Sequence, residues 1–146
     1  ESRGGVHHFA WTKQRFKDFE LHAVVRMRGS NANSGVGIRL HPRSANVAPG
    51  YQVDMGTGYW GCLFDEGADA MVQQFPPADA EELVRDGDWN HYYIVARGHH
   101  IQAWLNGVKT IDAVHDKGYT EGSIGFQLCH GERHTILDVR TLAVRE

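Results

Sequence analysis

Between Asp18 and Arg28 the chain alternates, with Phe19, Leu21, Ala23, Val25 and Met27 on one side and Glu20, His22, Arg26 and Arg28 on the other. A period of two predicts a half-buried strand of an antiparallel sheet. After a turn at residues 29–33, GVGIRLH repeats the pattern: Val36, Ile38 and Leu40 oppose Gly37, Arg39 and His41. In YQVDM, Tyr51, Val53 and Met55 oppose Gln52 and Asp54. YYIVA, HIQAWL and VKTIDAV read as three successive strands, turning at Arg97-Gly98-His99 and at Asn106-Gly107. Asn-Gly favours a two-residue type I′ turn because both residues must take positive φ. GSIGFQL (122–128) and TILDVRTLAV (135–144) supply two more strands, and only PPADAEELVR (76–85) predicts a helix, of one or two turns. No helix is long enough to cross between parallel strands. The expected fold is all-β, a two-sheet antiparallel β-sandwich or jelly roll, with one domain over residues 1–146.

Composition narrows the function classes. The 146 residues are 41% hydrophobic and 23% charged, which excludes disordered and fibrous chains. Net charge is −3 and no basic run stands out, so nucleic acid is not an expected partner. The apolar stretches are too short to span a bilayer, and no membrane role is expected. Cys62 and Cys129 are a weak argument for a disulfide. No signal-peptide pattern is present, which says nothing about export.

Candidate chemistry follows from the polar faces. Glu20, Arg26, Arg39, His41, Gln52, Asp54, Gln102, Trp104 and Gln127 all lie opposite apolar neighbours. If their strands share one sheet, its outer surface carries an arginine, a carboxylate, amides and an indole. Planar amides and carboxylates bind hydroxyls, and an aromatic face packs against axial C–H bonds, so the mixture suits a sugar. The plain alternative is a solvated sheet face.

The segment GTGYWGCLFDEGAD (56–69) is the second candidate. Its glycines permit close approach to backbone, Tyr59 and Trp60 could wall a pocket, and Asp65 or Glu66 could act as acid, base or metal ligand. Among the 10 histidines, His130 and His134 have the spacing of a helical zinc pair, but Gly131 and the strand context argue against it. His130 ends a strand beside a glycine, where a titrating group has access to a sheet rim. No nucleophilic serine motif, phosphate loop or Cys-x-x-Cys is present.

FKDFELHAVVRMR, NSGVGIRL, GYQVDMGTGYWGCLFDE, DWNHYYIVARGHHIQAWLNGVKTIDA and GSIGFQLCHG occur in this order. Together they resemble the 3-keto-disaccharide hydrolase domain family of the concanavalin A-like lectin/glucanase superfamily, from about Phe16 to Val144. The resemblance implies a sugar site on one face of a β-sandwich and substrates already oxidised to a ketone at C3. It maps family positions onto Arg39, Gln52, Asp54, Tyr59-Trp60-Gly61, Asp65-Glu66, Trp104 and His130-Gly131. Gln52 departs from the glutamate many members carry, and Cys129 from the residue types usual before the histidine.

A C3 carbonyl acidifies the C2 proton, so a base can form an enediolate and β-elimination can expel the C1 substituent. Under this reading His130 is the base, and Arg39 stabilises the enediolate. Asp54 orients the base or holds a divalent cation that shares the enediolate charge, and Asp65 or Glu66 serves the leaving oxygen. Gln52, Tyr59, Trp60, Gln102, Trp104 and Gln127 would hold the substrate. A divalent cation is the one cofactor this chemistry could call on. The expected partner is a 3-keto-glycoside or related saccharide, and the expected location is periplasmic or extracellular. The competing readings are a non-catalytic carbohydrate-binding module, a protein-docking domain and, ranked last because no E-x-D-x-E-like acidic strand is present, a conventional two-carboxylate glycosidase.

Overall fold

A computed structural model describes residues 8–128 and 134–146. Among these residues the strands are β1 His8–Phe16, β2 Phe19–Arg28, β3 Asn33–Leu40, β4 Tyr51–Gly56, β5 Leu63–Asp65 and β6 Ala70–Gln73. They continue as β7 Asn90–Arg97, β8 His100–Leu105, β9 Val108–Val114, β10 Gly122–Leu128 and β11 Ile136–Arg145. One helix, α1 Pro77–Leu83, separates β6 from β7. Six strands form a sheet ordered β1-β10-β3-β4-β5-β6, and five form a second ordered β11-β2-β7-β8-β9. All pairings are antiparallel. The expected all-β, two-sheet sandwich is the fold found.

The core forms where the apolar faces of the two sheets meet. Phe19, Leu21, Ile94, Ile101 and Leu105 from the five-stranded sheet close on Val36, Ile38, Val53, Met55 and Ile124 from the other. Asn106 and Gly107 both have positive φ, 50° and 89°, as a type I′ turn requires. The helix is shorter than the predicted span because Val84 is already extended, and only Ala80 on it is buried. Three strands escaped the sequence reading. The residues of β5 and β6 number only three and four, and β1 is an edge strand whose residues 13–15 are exposed.

Strict alternation fails in β3. Arg39 sits at φ 52°, and the register against β10 shifts between Gly37 and Leu40. The kink turns Leu40 onto the outer side, against Phe9 and Ala48. It also sends the Arg39 side chain into the end of the sandwich, where it is fully buried. There Nη1 donates to the carbonyls of Gly98 and Tyr119, and Nη2 to that of Lys17, with Asp18 3.7 Å away. Arg39 therefore ties three connecting segments together.

Candidate functional site

The candidate site is a cleft of about 290 Å³ over the outer face of the six-stranded sheet. Alternation in β4 turns Tyr51, Val53 and Met55 into the core, which leaves Gln52 and Asp54 pointing out. In β10, Ile124 and Phe126 pack inward and Gln127 points out. In the short β5, Leu63 is in the core and Phe64 lines the cleft, followed one turn of the alternation later by Glu66. Phe9, Asn33, Asn46, Tyr59 and Asp69 complete the walls.

Gly35 makes the arrangement fit. It lies directly across from Asp54 on one side and from Gln127 on the other. A Cβ there would overlap the Gln52 side chain, which occupies the space a larger residue would fill. A glycine inside a strand marks such a close approach. Gln52 thus reaches both neighbours: its Nε2 donates to Asp54 Oδ1 at 2.7 Å and to Gln127 Oε1 at 3.2 Å. Gln127 Nε2 in turn donates to Glu66 Oε1 at 3.1 Å. Two carboxyls are joined through two carboxamides in the order Asp54, Gln52, Gln127, Glu66.

Both carboxyls are held near neutrality. Burial pushes Asp54 up to about 7 against the opposing Gln52 hydrogen bond, and the Glu66 charge raises it further. Burial likewise pushes Glu66 up to about 7, helped by Asp69 and Asp65 and opposed by its Gln127 bond. Gln52 and Asp54 are only 3% and 5% exposed. Gln52 Oε1 is buried without a partner in the protein. The Asp54 backbone is equally fixed, since its carbonyl accepts from the buried Tyr92 hydroxyl at 3.0 Å. Two carboxyls that titrate near pH 7 within one hydrogen-bonded file can exchange protons with a bound molecule in either direction.

The structure gathers Gln52, Asp54, Tyr59, Glu66 and Gln127 in this cleft and places the other candidates elsewhere. Arg39 serves the sandwich end and does not line the cleft, because its positive φ reverses its side. Asp65 points away from Glu66, with Oδ1 accepting from the backbone of Gly67 and Ala68. Trp60 packs against the core and lines hollows at the end of the sandwich. Gln102 and Trp104 are on the outer face of the other sheet. There Gln102 donates to Asp112, and Trp104 lies between Tyr93 and Lys109. Glu20 and Arg26 share that face, bonded to Tyr93 and Asp138. His130 and Cys129 lie outside the described residues. Cys62 is a buried free thiol. Among the described residues, no three His, Cys, Asp or Glu side chains gather closely enough to hold a metal ion.

Sequence reasoning missed Phe64, Asp69, Asn33, Asn46, Phe9 and Gly35. The alternation Leu63/Asp65 against Phe64/Glu66 was a usable signal for the first, and the outward glycine in NSGVG for the last.

Comparison with known proteins agrees with the fold. A family model described as a 3-keto-alpha-glucoside-1,2-lyase-like domain matches residues 1–145. No curated protein matches the chain. The carbohydrate-binding module CBM66 from Bacillus subtilis superposes with a TM-score of 0.74 at 17% identity, covering 99% of this chain and 84% of that one. A putative glycosyl hydrolase from Parabacteroides distasonis superposes at 0.66 with 21% identity, over 95% and 83% of the two chains. Sheep galectin-11 gives 0.62 at 5% identity, over 98% and 100%. At these identities the likeness is one of fold.

Proposed function

The chain belongs to the family of 3-keto-alpha-glucoside-1,2-lyase-like domains, and on that premise we propose that its cleft cleaves the C1–O bond of 3-keto-glycosides by elimination. The observation that carries this reading is the file Asp54–Gln52–Gln127–Glu66, with both carboxyls raised to about 7. Near neutral pH one carboxyl of such a pair is ionised while the other keeps its proton, so base and acid coexist.

The ionised carboxylate takes the proton from C2, and the electron pair moves into a C2–C3 enediolate whose charge rests on the C3 oxygen. That charge then returns to re-form the ketone, a C1–C2 double bond forms, and the C1–O bond breaks. The protonated carboxyl delivers its proton to the departing oxygen. Products are a 2-hydroxy-3-keto-glycal and the free alcohol, and water added across the double bond would give net hydrolysis. The carboxamides of Gln52 and Gln127 hold the two carboxyls apart and in register, and Tyr59 and Phe64 supply aromatic surface for the ring.

A non-catalytic carbohydrate-binding role is the second reading, supported by the fold shared with a carbohydrate-binding module. It has no use for a buried and a half-buried carboxyl both raised to about 7, which weakens binding-site stability for no gain in hydroxyl recognition. Product analysis decides between them. The protein is mixed with a glucoside and with its 3-keto form, and the released alcohol is followed. Release from the keto form alone supports elimination, and binding without release from either supports the second reading.

A further inference from the structure

Three further hollows continue the cleft toward one end of the sandwich. The first, of about 200 Å³, shares Asn33 and Tyr59 with the cleft and adds Asn31, Ala32 and Thr57. The second, of about 370 Å³, shares Asn31, Ala32 and Thr57 with the first and reaches Trp60, Arg28 and Asp86. The third, of about 180 Å³, shares Thr57, Trp60 and Asp86 with the second. Shared walls at each step make one groove, running from the carboxyl pair over an Asn33–Tyr59 rim to Trp60.

The loop that shapes the groove explains its two aromatics. Gly56, Gly58 and Gly61 have φ of 150°, 83° and 74°, and this tight course turns Tyr59 toward the cleft and Trp60 toward the far hollows. The hollow that Trp60 lines has Asn31, Thr57, Asp86 and Arg28 among its other walls, residues that carry an amide, a hydroxyl, a carboxylate and a guanidinium. Arg28 is fixed by Asp138, which accepts from its Nε and Nη2. An aromatic face ringed by planar hydrogen-bonding groups fits a sugar ring better than a hydrocarbon.

We infer that the leaving group is itself a saccharide of at least two rings, lying over the Asn33–Tyr59 rim with its far ring against Trp60. This rests on the elimination reading above and orients it. Along β4, Asp54 is nearer the rim, because Gly56 beyond it pairs with Asn33, whereas Gln52 pairs with Phe64 on the Glu66 side. With the leaving group on the Trp60 side, Asp54 is the acid at the departing oxygen and Glu66 the base at C2.

The test uses two substrates, the 3-keto forms of a methyl glucoside and of a gluco-trisaccharide oxidised at its non-reducing end, in both anomeric series. The wild type should favour the trisaccharide in KM by about five- to tenfold, the size of one good ring contact. Trp60→Ala should abolish that preference and Trp60→Phe should keep most of it. Because Trp60 also packs against the core, Thr57→Trp is the second variant. Thr57 is exposed and common to all three hollows, so the new indole blocks the groove from the surface. Loss of the trisaccharide preference in Thr57→Trp supports the groove. A preference that survives Thr57→Trp, or an equal loss on both substrates, overturns it.

A nitrophenyl leaving group needs no acid, so it should rescue Asp54→Asn and not Glu66→Gln; the reverse pattern overturns the orientation. Should the wild type turn over neither substrate, elimination fails by itself, and the groove is read by calorimetry with the unoxidised trisaccharide. Binding lost in Thr57→Trp then supports the groove, and absent or undiminished binding overturns it.

Discussion

Asp54→Asn should make this protein more stable at alkaline pH while removing its activity. A carboxyl whose pKa rises from 3.8 unfolded to about 7 folded disfavours folding once it must ionise. Between about pH 4 and 7 the unfolded group is charged and the folded one keeps its proton, so stability falls by up to about 1.4 kcal/mol per pH unit. Above pH 7 both are ionised and the full loss, roughly 4 kcal/mol, is in place. Below pH 4 the contribution vanishes. Asparagine keeps an oxygen that can accept from Gln52 Nε2 in place of Asp54 Oδ1, and it cannot ionise. The variant should therefore match the wild type at pH 4 and exceed it by about 2–4 kcal/mol at pH 8. Urea unfolding at half-unit pH steps from 4 to 8.5 reads the difference directly, and turnover should fall on the order of 10²-fold or more. A variant that is less stable at pH 8, or offset equally at both ends of the range, would refute the claim that burial holds this carboxyl near neutrality.

Other positions separate the cleft from its scaffold. Gly35→Ala places a methyl group where the Gln52 side chain lies; turnover should drop by roughly 10²-fold, as for a small misplacement of reacting groups, with the cooperative unfolding retained. Arg39→Met removes the hydrogen bonds to the carbonyls of Lys17, Gly98 and Tyr119, and denaturant unfolding should show a loss of about 3–5 kcal/mol. Trp104→Ala, on the other sheet, should leave kcat/KM within about twofold, since its ring contacts are with Tyr93 and Lys109; a tenfold loss would mean that both faces meet the substrate.

Much of the fold was legible because long strands carry the period-two pattern openly. In β2 and β8 each inward residue was identifiable, and Asn106-Gly107 announced its turn. Alternation also put Gln52, Asp54, Gln127 and Trp104 on outer faces. It could not say which outer face, because strand parity carries no information about which sheet a strand joins. Gln102 and Trp104 therefore landed opposite the carboxyl pair. Arg39 failed for a different reason. One residue in the left-handed region breaks the period, and nothing in NSGVGIRL marks an arginine for it. Asp65 and Glu66 remained undecided in the sequence because β5 is only three residues long. Once Leu63 is in the core, parity assigns Glu66 to the cleft.

The central claim is proton removal from C2 by the carboxyl pair, and isotopic labelling at that carbon tests it most directly. A 3-keto-glucoside carrying deuterium at C2 should be cleaved more slowly than its protiated twin or should lose label to solvent water during turnover. Both effects should vanish with cleavage in the double variant Asp54→Asn, Glu66→Gln. Cleavage that keeps the deuterium in the sugar product, shows no rate difference and survives the double variant would contradict the account.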